Sequence, residues 1–129
     1  MKGETVSMSV FVSFNYSDKE MVGNLKGLGI SELSIKWHYI ETDLSNSGEN
    51  AIDNEIRSQI RQCSVALFLV GDNAHNSPWI KREAKLAESL AVKRIVVRHP
   101  GTTGAPPPEL SSIRPINWDR EEIMKSLGL

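Results

Sequence analysis

Cysteine is nearly absent from this sequence, and its scarcity excludes several kinds of protein. The single thiol, Cys63, cannot form an internal disulfide or supply a cysteine-rich zinc site. One cysteine also fits a reducing cytosol. Because Cys63 follows a helical pattern and precedes an apolar run, we expect a small buried hydrophobic residue rather than a reactive thiol.

Long apolar segments and an excess of one charge are missing as well. No apolar run approaches the about 20 residues of a membrane-spanning helix, and the opening segment MKGETVSMSV lacks the apolar core of a signal peptide. A formal net charge of −1 leaves no electrostatic footprint for nucleic acid or an anionic membrane. We therefore expect a soluble, cytoplasmic protein that binds neither.

Signatures of metal and cofactor binding are also lacking. His38, His75 and His99 lie far apart without metal-ligand spacing, so we expect them at the surface or in loops. Neither a Gly-rich dinucleotide fingerprint nor a P-loop occurs. The end of the first predicted strand lacks the paired acids of a phosphoacceptor receiver and the Ser/Thr/Gly-rich loop of a flavin site. The sequence therefore predicts no metal and no resident cofactor.

What is present is a regular alternation of strand and helix patterns. β-branched and aromatic runs predict strands at residues 10–14, 33–40, 65–70 and 94–98, and a short one near residue 116. Apolar residues at helical spacing predict intervening helices that begin at Ser17, cover Ile52 to Ile60, begin at Ser77, and begin near Asp119. Residues 100–108 are rich in Pro and Gly and predict a surface loop. A chain of 129 residues suits one domain, residues 1–129.

This alternation predicts an α/β fold with a doubly wound, mainly parallel sheet. Five strands suit the flavodoxin-like order 2-1-3-4-5, with the apolar run at 65–70 in the centre. Ligands of such sheets bind beyond the carboxyl ends of strands 1 and 3. That rule places Ser13, Phe14 and Asn15 beside Asn73 at one rim.

One carboxylate falls on the apolar face of the helix that follows Ser77. Ser77 is a good N-cap, and Pro78 suits the first helical position. At about 100° per residue, Glu83 falls in the arc of Ile80 and Ala87, whereas the other charges of the helix lie opposite. A buried carboxylate is costly unless it is paired or used. A structural ion pair would explain Glu83, and so would a role at the ligand-binding rim.

An aromatic residue lies one turn before this carboxylate, because Trp79 and Glu83 are four residues apart. Such a pair suits a nucleoside substrate: the indole offers a stacking face, and a fixed anion stabilises the oxocarbenium-like transition state of glycosidic cleavage. The nicotinamide of NAD+ already carries positive charge and leaves as a neutral base. One carboxylate can therefore suffice where ordinary glycosidases need two.

Three segments resemble the TIR-like domain family, most closely its stand-alone bacterial members, which include the signal-producing subunit of the Thoeris antiphage system. Residues 10–18, VFVSFNYSD, resemble the family's opening strand with its S-[HF]-x-Y-x-D ending. Residues 52–71 resemble an I-x-x-x-I helix that leads into an apolar strand ending in Gly. Residues 77–83, SPWIKRE, resemble the S-x-W-[VI]-x-x-E signature that carries the catalytic glutamate of TIR NAD glycohydrolases. The resemblance covers about residues 8 to 98.

The resemblance implies a TIR-type enzyme that cleaves the nicotinamide–ribose bond of NAD+, which is its substrate rather than a cofactor. Glu83 would be the catalytic carboxylate. The loop after the second strand would join the site, and the predicted NAD+-binding residues are Ser13, Phe14, Asn15, Asp43, Asn73, Ser77 and Trp79. The first strand departs from the family in ending Ser-Phe-Asn where many relatives have Ser-His. The loop at 100–108 has no clear counterpart.

The resemblance also implies partners and competing functions. An ADP-ribose-derived product, cyclised or transferred rather than simply hydrolysed, would be read by a separate effector protein in antiphage defence, and the domains would self-associate through TIR–TIR contacts. Two alternatives stay open: a non-catalytic TIR-like scaffold and a nucleotide-binding sensor without turnover. Scaffolds commonly lack the glutamate and a sensor does not need it, so an inward-facing Glu83 favours the enzyme.

Overall fold

The structure is a computed structural model that describes residues 8–15, 18, 20–29, 35–38, 48–75 and 77–128. Strands and helices alternate along these ranges, as the sequence predicts. The elements are β1 (Met8–Ser13), α1 (Glu20–Lys26), β2 (Ile35–His38), α2 (Glu49–Arg61), β3 (Val65–Val70), α3 (Pro78–Ser89), β4 (Lys93–Arg98), a 3-10 turn (Pro108–Leu110) and α4 (Arg120–Ser126).

The described strands form one parallel sheet in the order β2-β1-β3-β4. β3 is buried along its whole length, which confirms its predicted central position. In the register between β1 and β3, Val10 lies opposite Val65 and Ser13 opposite Phe68. β1 therefore ends two residues short of the end of β3, and its carboxyl end opens onto the same rim.

The predicted fifth strand is wrong as an element. In the described part of the chain, Ile116 forms a single parallel bridge with Val97 at the outer side of β4. Two backbone hydrogen bonds surround it: the Arg98 N–H donates to the Ile116 carbonyl at 3.0 Å, and the Ile116 N–H donates to the Val96 carbonyl at 2.8 Å. Both bonds use the backbone groups of Ile116, and no other residue of this segment makes a backbone hydrogen bond to β4 within the described chain. The described sheet thus has four strands in the order 2-1-3-4, which is still a flavodoxin-like arrangement.

Successive side chains of each strand point to opposite faces of the sheet, so two hydrophobic clusters form. On the first face, α2, α3 and the 3-10 turn pack against β1 and β3 through side chains such as Phe11 and Phe68. On the second face, α1 and α4 pack against Val10, Val12 and Leu67. The helices on both faces confirm the doubly wound arrangement.

Local predictions agree with the described elements. The predicted stripe on α2, Ile52, Ile56 and Ile60, is buried. Cys63 is buried, and desolvation raises the pKa of its thiol to about 11, so it is the inert small side chain that the sequence predicts. The predicted helix cap Ser17 and the four residues by which the predicted second strand extends beyond Ile35–His38 lie outside the described residues. Within the described ranges, no helix is both long and apolar enough to cross a membrane.

Candidate active site

α3 presents Glu83 to the interior of the protein. The helix begins as predicted: the Ser77 hydroxyl accepts a hydrogen bond from the Ile80 N–H at 3.3 Å, and Pro78 occupies the first turn. The face bearing Ile80 and Ala84 is buried in the first cluster. Glu83 lies on the same face and is only 4% exposed, as its position on the helical wheel predicts.

The hydrogen-bond partner of this carboxylate lies near the N-terminus of the sequence. Ser13 is the last residue of β1 and shares the face of Phe11, so its hydroxyl points toward α3. The Ser13 Oγ donates a 2.6 Å hydrogen bond to Oε1 of Glu83, across a sequence separation of 70 residues. Oε2 of Glu83 has no hydrogen-bond partner among the described residues.

The charge of Glu83 is not matched by a cation in the described part of the chain. The ion pairs there join Arg82 to Glu49 and Asp53, and Arg94 to Glu88. The alternative that Glu83 forms a structural ion pair therefore has no support among these residues. A hydroxyl, rather than an ammonium or guanidinium group, is its partner.

Burial changes the acidity of Glu83. Desolvation raises the pKa of this carboxyl from its ordinary value of 4.5 to about 8, against a smaller lowering by the Ser13 hydrogen bond. Strongly perturbed carboxyl groups at the ligand-binding end of a sheet are candidates for catalysis. A carboxyl held this way gains most when a positive charge develops beside it, since low local polarity strengthens that attraction.

Trp79 lies one helical turn before Glu83, as predicted. The indole is half-buried and packs against the first hydrophobic cluster. Part of this side chain therefore serves the core. The rest remains exposed on the helix that carries Glu83.

A second polar pair lies at the rim of β1 and β3. The Asn73 side-chain amide donates a 2.8 Å hydrogen bond to Oδ1 of Asp18, and Oδ2 of Asp18 is buried without a hydrogen-bond partner. The Asp18 N–H donates to the carbonyl of Asn15 at 2.8 Å. Gly71 permits this approach, because an added Cβ would lie 3.0 Å from Oδ2 of Asp18. Asp18 was not among the predicted site residues, although it closes the VFVSFNYSD segment.

Two further residues predicted at the site are Phe14 and Asp43. Phe14 is half-buried and packs against the second cluster, on the opposite face of the sheet from Glu83. Asp43 lies outside the described residues. The structure therefore brings Ser13 to Glu83 and ties Asn15 and Asn73 to Asp18, but it separates Phe14 from the carboxylate.

Residues 99–107, which include most of the surface loop predicted at residues 100–108, are docked against the β3–α3 connection. The Thr103 N–H donates to Oδ1 of Asp72 at 2.9 Å, and Nη1 of Arg98 donates to the Gly104 carbonyl at 2.6 Å. An added Cβ on Gly104 would lie 2.5 Å from the Gly71 carbonyl oxygen, so a glycine is needed for this contact. Composition alone did not reveal that the segment covers the rim.

The histidines take no part in the Ser13–Glu83 pair. His38 is half-buried and hydrogen bonds Gln59, His75 is exposed, and the ring of His99 contacts Trp118 edge-on with 4.7 Å between centroids. Across the described ranges, no three His, Cys, Asp or Glu side chains are grouped to hold a metal ion.

Solved structures share this fold. The TIR domain of the Toll-related receptor TRR-2 from Hydra magnipapillata aligns with a TM-score of 0.56 and 14% identity, over 94% of this chain and 91% of that one. The TIR domains of the activated Roq1 resistosome, which directly recognises the pathogen effector XopQ, align with a TM-score of 0.49 and 21% identity, over 71% of this chain and 57% of that one. At 14% identity, the likeness to the Hydra domain shows the fold alone.

Sequence comparison identifies the family. No curated protein sequence matches the chain significantly. The family model described as "Thoeris protein ThsB, TIR-like domain" matches residues 11–104, which is well over half of the chain and includes both Ser13 and Glu83. The chain therefore belongs to the TIR-like domain family of the Thoeris protein ThsB.

Proposed function

We propose that this protein is an enzyme that cleaves the bond between nicotinamide and ribose in NAD+, with Glu83 as its catalytic carboxylate. One observation carries the proposal: a carboxyl buried at the carboxyl rim of a parallel sheet, hydrogen bonded to a hydroxyl and paired with no described cation. Family membership supports it, because the SPWIKRE segment lies inside the matched residues 11–104.

The proposed reaction needs few groups. The bond between ribose C1′ and the nicotinamide ring nitrogen breaks, and its electron pair neutralises the charge of the departing ring. The ribose becomes an oxocarbenium-like cation beside the ionised Glu83. Water or a hydroxyl of the same molecule then adds to C1′ and releases one proton. A fixed anion in a partly dry site contributes most at the moment the cation forms.

The buried environment of Glu83 favours an anion that is stabilised more beside the cationic transition state than in the free protein. Burial leaves the charged carboxylate poorly stabilised in the free protein, with a pKa of about 8. A cationic substrate or transition state supplies the missing countercharge, so ionisation and catalysis favour each other. We therefore expect kcat/KM to rise with pH up to about 8, since the ionised form is the active one.

The other predicted residues complete the proposed NAD+ site. NAD+ is a substrate, and no resident cofactor is required. The exposed part of Trp79 would face the nicotinamide and ribose, with Asn15 and Asn73 around the same rim and Phe14 and Asp43 in the flanking segments. Ser77 is 2% exposed and caps α3, so it would position this helix rather than touch NAD+.

The product and its recipient extend the proposal. Membership of the Thoeris ThsB family supports a role in antiphage defence, in which an ADP-ribose-derived product, cyclised or transferred rather than simply hydrolysed, is read by a separate effector protein. Self-association of TIR-like domains would assemble the active form. Resolving the NAD+ products by mass and chromatography, after protein is filtered away, tests this part. Linear ADP-ribose and nicotinamide alone, at full activity, would exclude a cyclised or transferred signal.

The decisive experiment measures nicotinamide release from NAD+, with and without an extract of phage-infected cells. Wild type and Glu88→Gln, an exposed position on the same helix, should both release nicotinamide. Glu83→Gln should be slower by about 10²–10³-fold and remain folded. A folded Glu83→Gln that cleaves as fast as wild type would overturn the proposal. If wild type releases nothing even with the extract, the non-catalytic scaffold takes its place.

A further inference from the structure

The hydrogen bond between Ser13 and Glu83 gives the serine a role different from the predicted contact with NAD+. We propose that Ser13 is a positioning residue: its hydroxyl anchors Oε1 of Glu83 and thereby leaves Oε2 as the oxygen presented to the substrate. This inference rests on the proposed function of Glu83. Ser13 is 1% exposed, so it has almost no surface with which to touch a ligand.

The backbone of β1 determines where this hydroxyl lies. Phe11 and Ser13 share one face of the sheet, while Val12 faces the other. Ser13 pairs in register with Phe68, which fixes its height beside α3. A glutamate on a helix has three side-chain torsions, and a short hydroxyl on the rigid end of a central strand restrains them better than a loop would.

The contact is a short hydrogen bond between a hydroxyl and a carboxyl group. At 2.6 Å, the distance from Oγ to Oε1 lies at the short end of the O–H···O range. Such a bond favours the charged form of the carboxyl and opposes the effect of burial on its pKa. Loss of the hydroxyl should both free the Glu83 side chain and make its ionisation harder.

Other charged groups around α3 are engaged away from Glu83. Neither β1, which ends in Ser13, nor the neighbouring strand β3 contains a charged residue. The charged side chains of α2 and β4 that pair with α3 do so through its outer residues Arg82 and Glu88. The remaining titratable groups on α3, the 3-10 turn, the end of β4 and the described rim loops make no described hydrogen bond or ion pair with Glu83; they are Asp18, Asp72, His75, Lys81, Lys85, Arg98, His99 and Glu109.

Steady-state kinetics across pH test the inference. Ser13→Ala should lower kcat about ten- to hundredfold, as a slightly misplaced catalytic group does. KM should stay nearly constant, because Ser13 does not contact NAD+. The rising limb of kcat/KM should move to higher pH. Ser13→Thr, which keeps the hydroxyl, should restore the wild-type limb, and Ser89→Ala, which removes an α3 hydroxyl bonded to the Leu86 carbonyl, should change neither quantity.

Two results would overturn this role. An increase in KM at unchanged kcat would make Ser13 a substrate contact, and wild-type kinetics in Ser13→Ala would make the hydrogen bond irrelevant. Ser13→Ala should also add nothing to Glu83→Gln, because it acts through that carboxyl. If Ser13→Ala does not fold, Ser13→Cys, with its weaker donor, serves the same comparison.

A measurement without NAD+ separates this inference from the proposed function. The free energy of unfolding should depend on pH through Glu83, and Ser13→Ala should move the upper end of that dependence to higher pH. If the dependence moves but wild type never cleaves NAD+, the Ser13–Glu83 coupling stands and the enzymatic function fails. If wild type cleaves NAD+ and the dependence does not move, the positioning role fails alone.

Discussion

Both faces of α3 carry a glutamate, one exposed to solvent and one buried. On the outer face, the side chain of Glu88 is 70% exposed, and its Oε2 accepts a 3.1 Å hydrogen bond from Arg94. On the inner face, Glu83 is buried and is hydrogen bonded to a neutral serine. Exposed ion pairs contribute about 0–1 kcal/mol to stability, whereas a buried unpaired carboxyl is costly. The difference identifies Glu83 as the carboxylate that stability alone does not explain.

The largest expected difference between the two faces is in the pH dependence of stability. Because burial raises the pKa of Glu83 from 4.5 to about 8, the folded state holds this proton more tightly than the unfolded state. The stabilisation is complete below about pH 4.5 and is lost as the pH rises to about 8. Within that window, this carboxyl should lower the free energy of unfolding by about 1.4 kcal/mol per pH unit.

Denaturant unfolding of wild type, Glu83→Gln and Glu88→Gln across this window measures that slope. Subtracting the Glu83→Gln curve from the wild-type curve removes the contributions of all other groups. The difference in the free energy of unfolding should then fall as the pH rises. Subtracting the Glu88→Gln curve should leave a nearly flat difference. If neither difference depends on pH, Glu83 and Glu88 do not differ in acidity as proposed.

Trp79→Ala tests whether the neighbour of Glu83 on α3 binds substrate or only packs in the core. If the exposed part of the indole stacks on the substrate, its loss should cost about 1–3 kcal/mol, which is a ten- to hundredfold drop in kcat/KM for NAD+. Kinetics and thermal unfolding should be measured on the same preparation. A drop in melting temperature with unchanged kinetics would assign Trp79 wholly to the core that it contacts.

Gly104→Ala tests whether the inner face depends on the segment that covers the rim. The added methyl group would meet the Gly71 carbonyl oxygen at 2.5 Å, so residues 99–107 must move away. Overpacking of this kind costs about 1–3 kcal/mol, which chemical unfolding can measure. Gly101→Ala is a poor control because its φ of +78° already strains a side chain, whereas Ala105→Gly leaves the contact intact. Equal stability of Gly104→Ala and wild type would show that the docked segment contributes nothing.

The smallest expected effect belongs to the outer face. Glu88→Gln removes the charge that pairs with Arg94, and we expect the free energy of unfolding to change by less than about 1 kcal/mol. Added salt should reduce even that difference, because exposed charges are screened. A loss as large as that from a core substitution would mean that the exposed pair is structurally essential.

Short-range patterns explain which parts of the site were predictable. The N-cap Ser77, the inward direction of Glu83 and the neighbouring Trp79 all follow from helical spacing within one segment. The central position of β3 follows from its unbroken apolar run. The fifth strand was overestimated, because a short apolar pattern near residue 116 does not show that Ile116 alone would bridge β4.

Contacts between distant segments were not predictable in the same way. Phe14 shares the VFVSFNYSD segment with Ser13 but faces the other cluster, and Asp18 meets Asn73 only because β1 and β3 end at one rim. Each of these contacts depends on strand register and crossover geometry. A one-residue slip in register would exchange the faces of Ser13 and Phe14.

Periodicity, capping and local motifs act over a few residues, so they were enough to predict the alternation of strands and helices, the inward carboxylate of α3 and the family resemblance. The hydrogen bond from Ser13 to Glu83 across 70 residues, and the docking of residues 99–107 on Gly71, become visible only in the folded chain. Long-range pairing depends on how strands align and chains cross over, and burial then sets the pKa of the carboxyl that this pairing encloses.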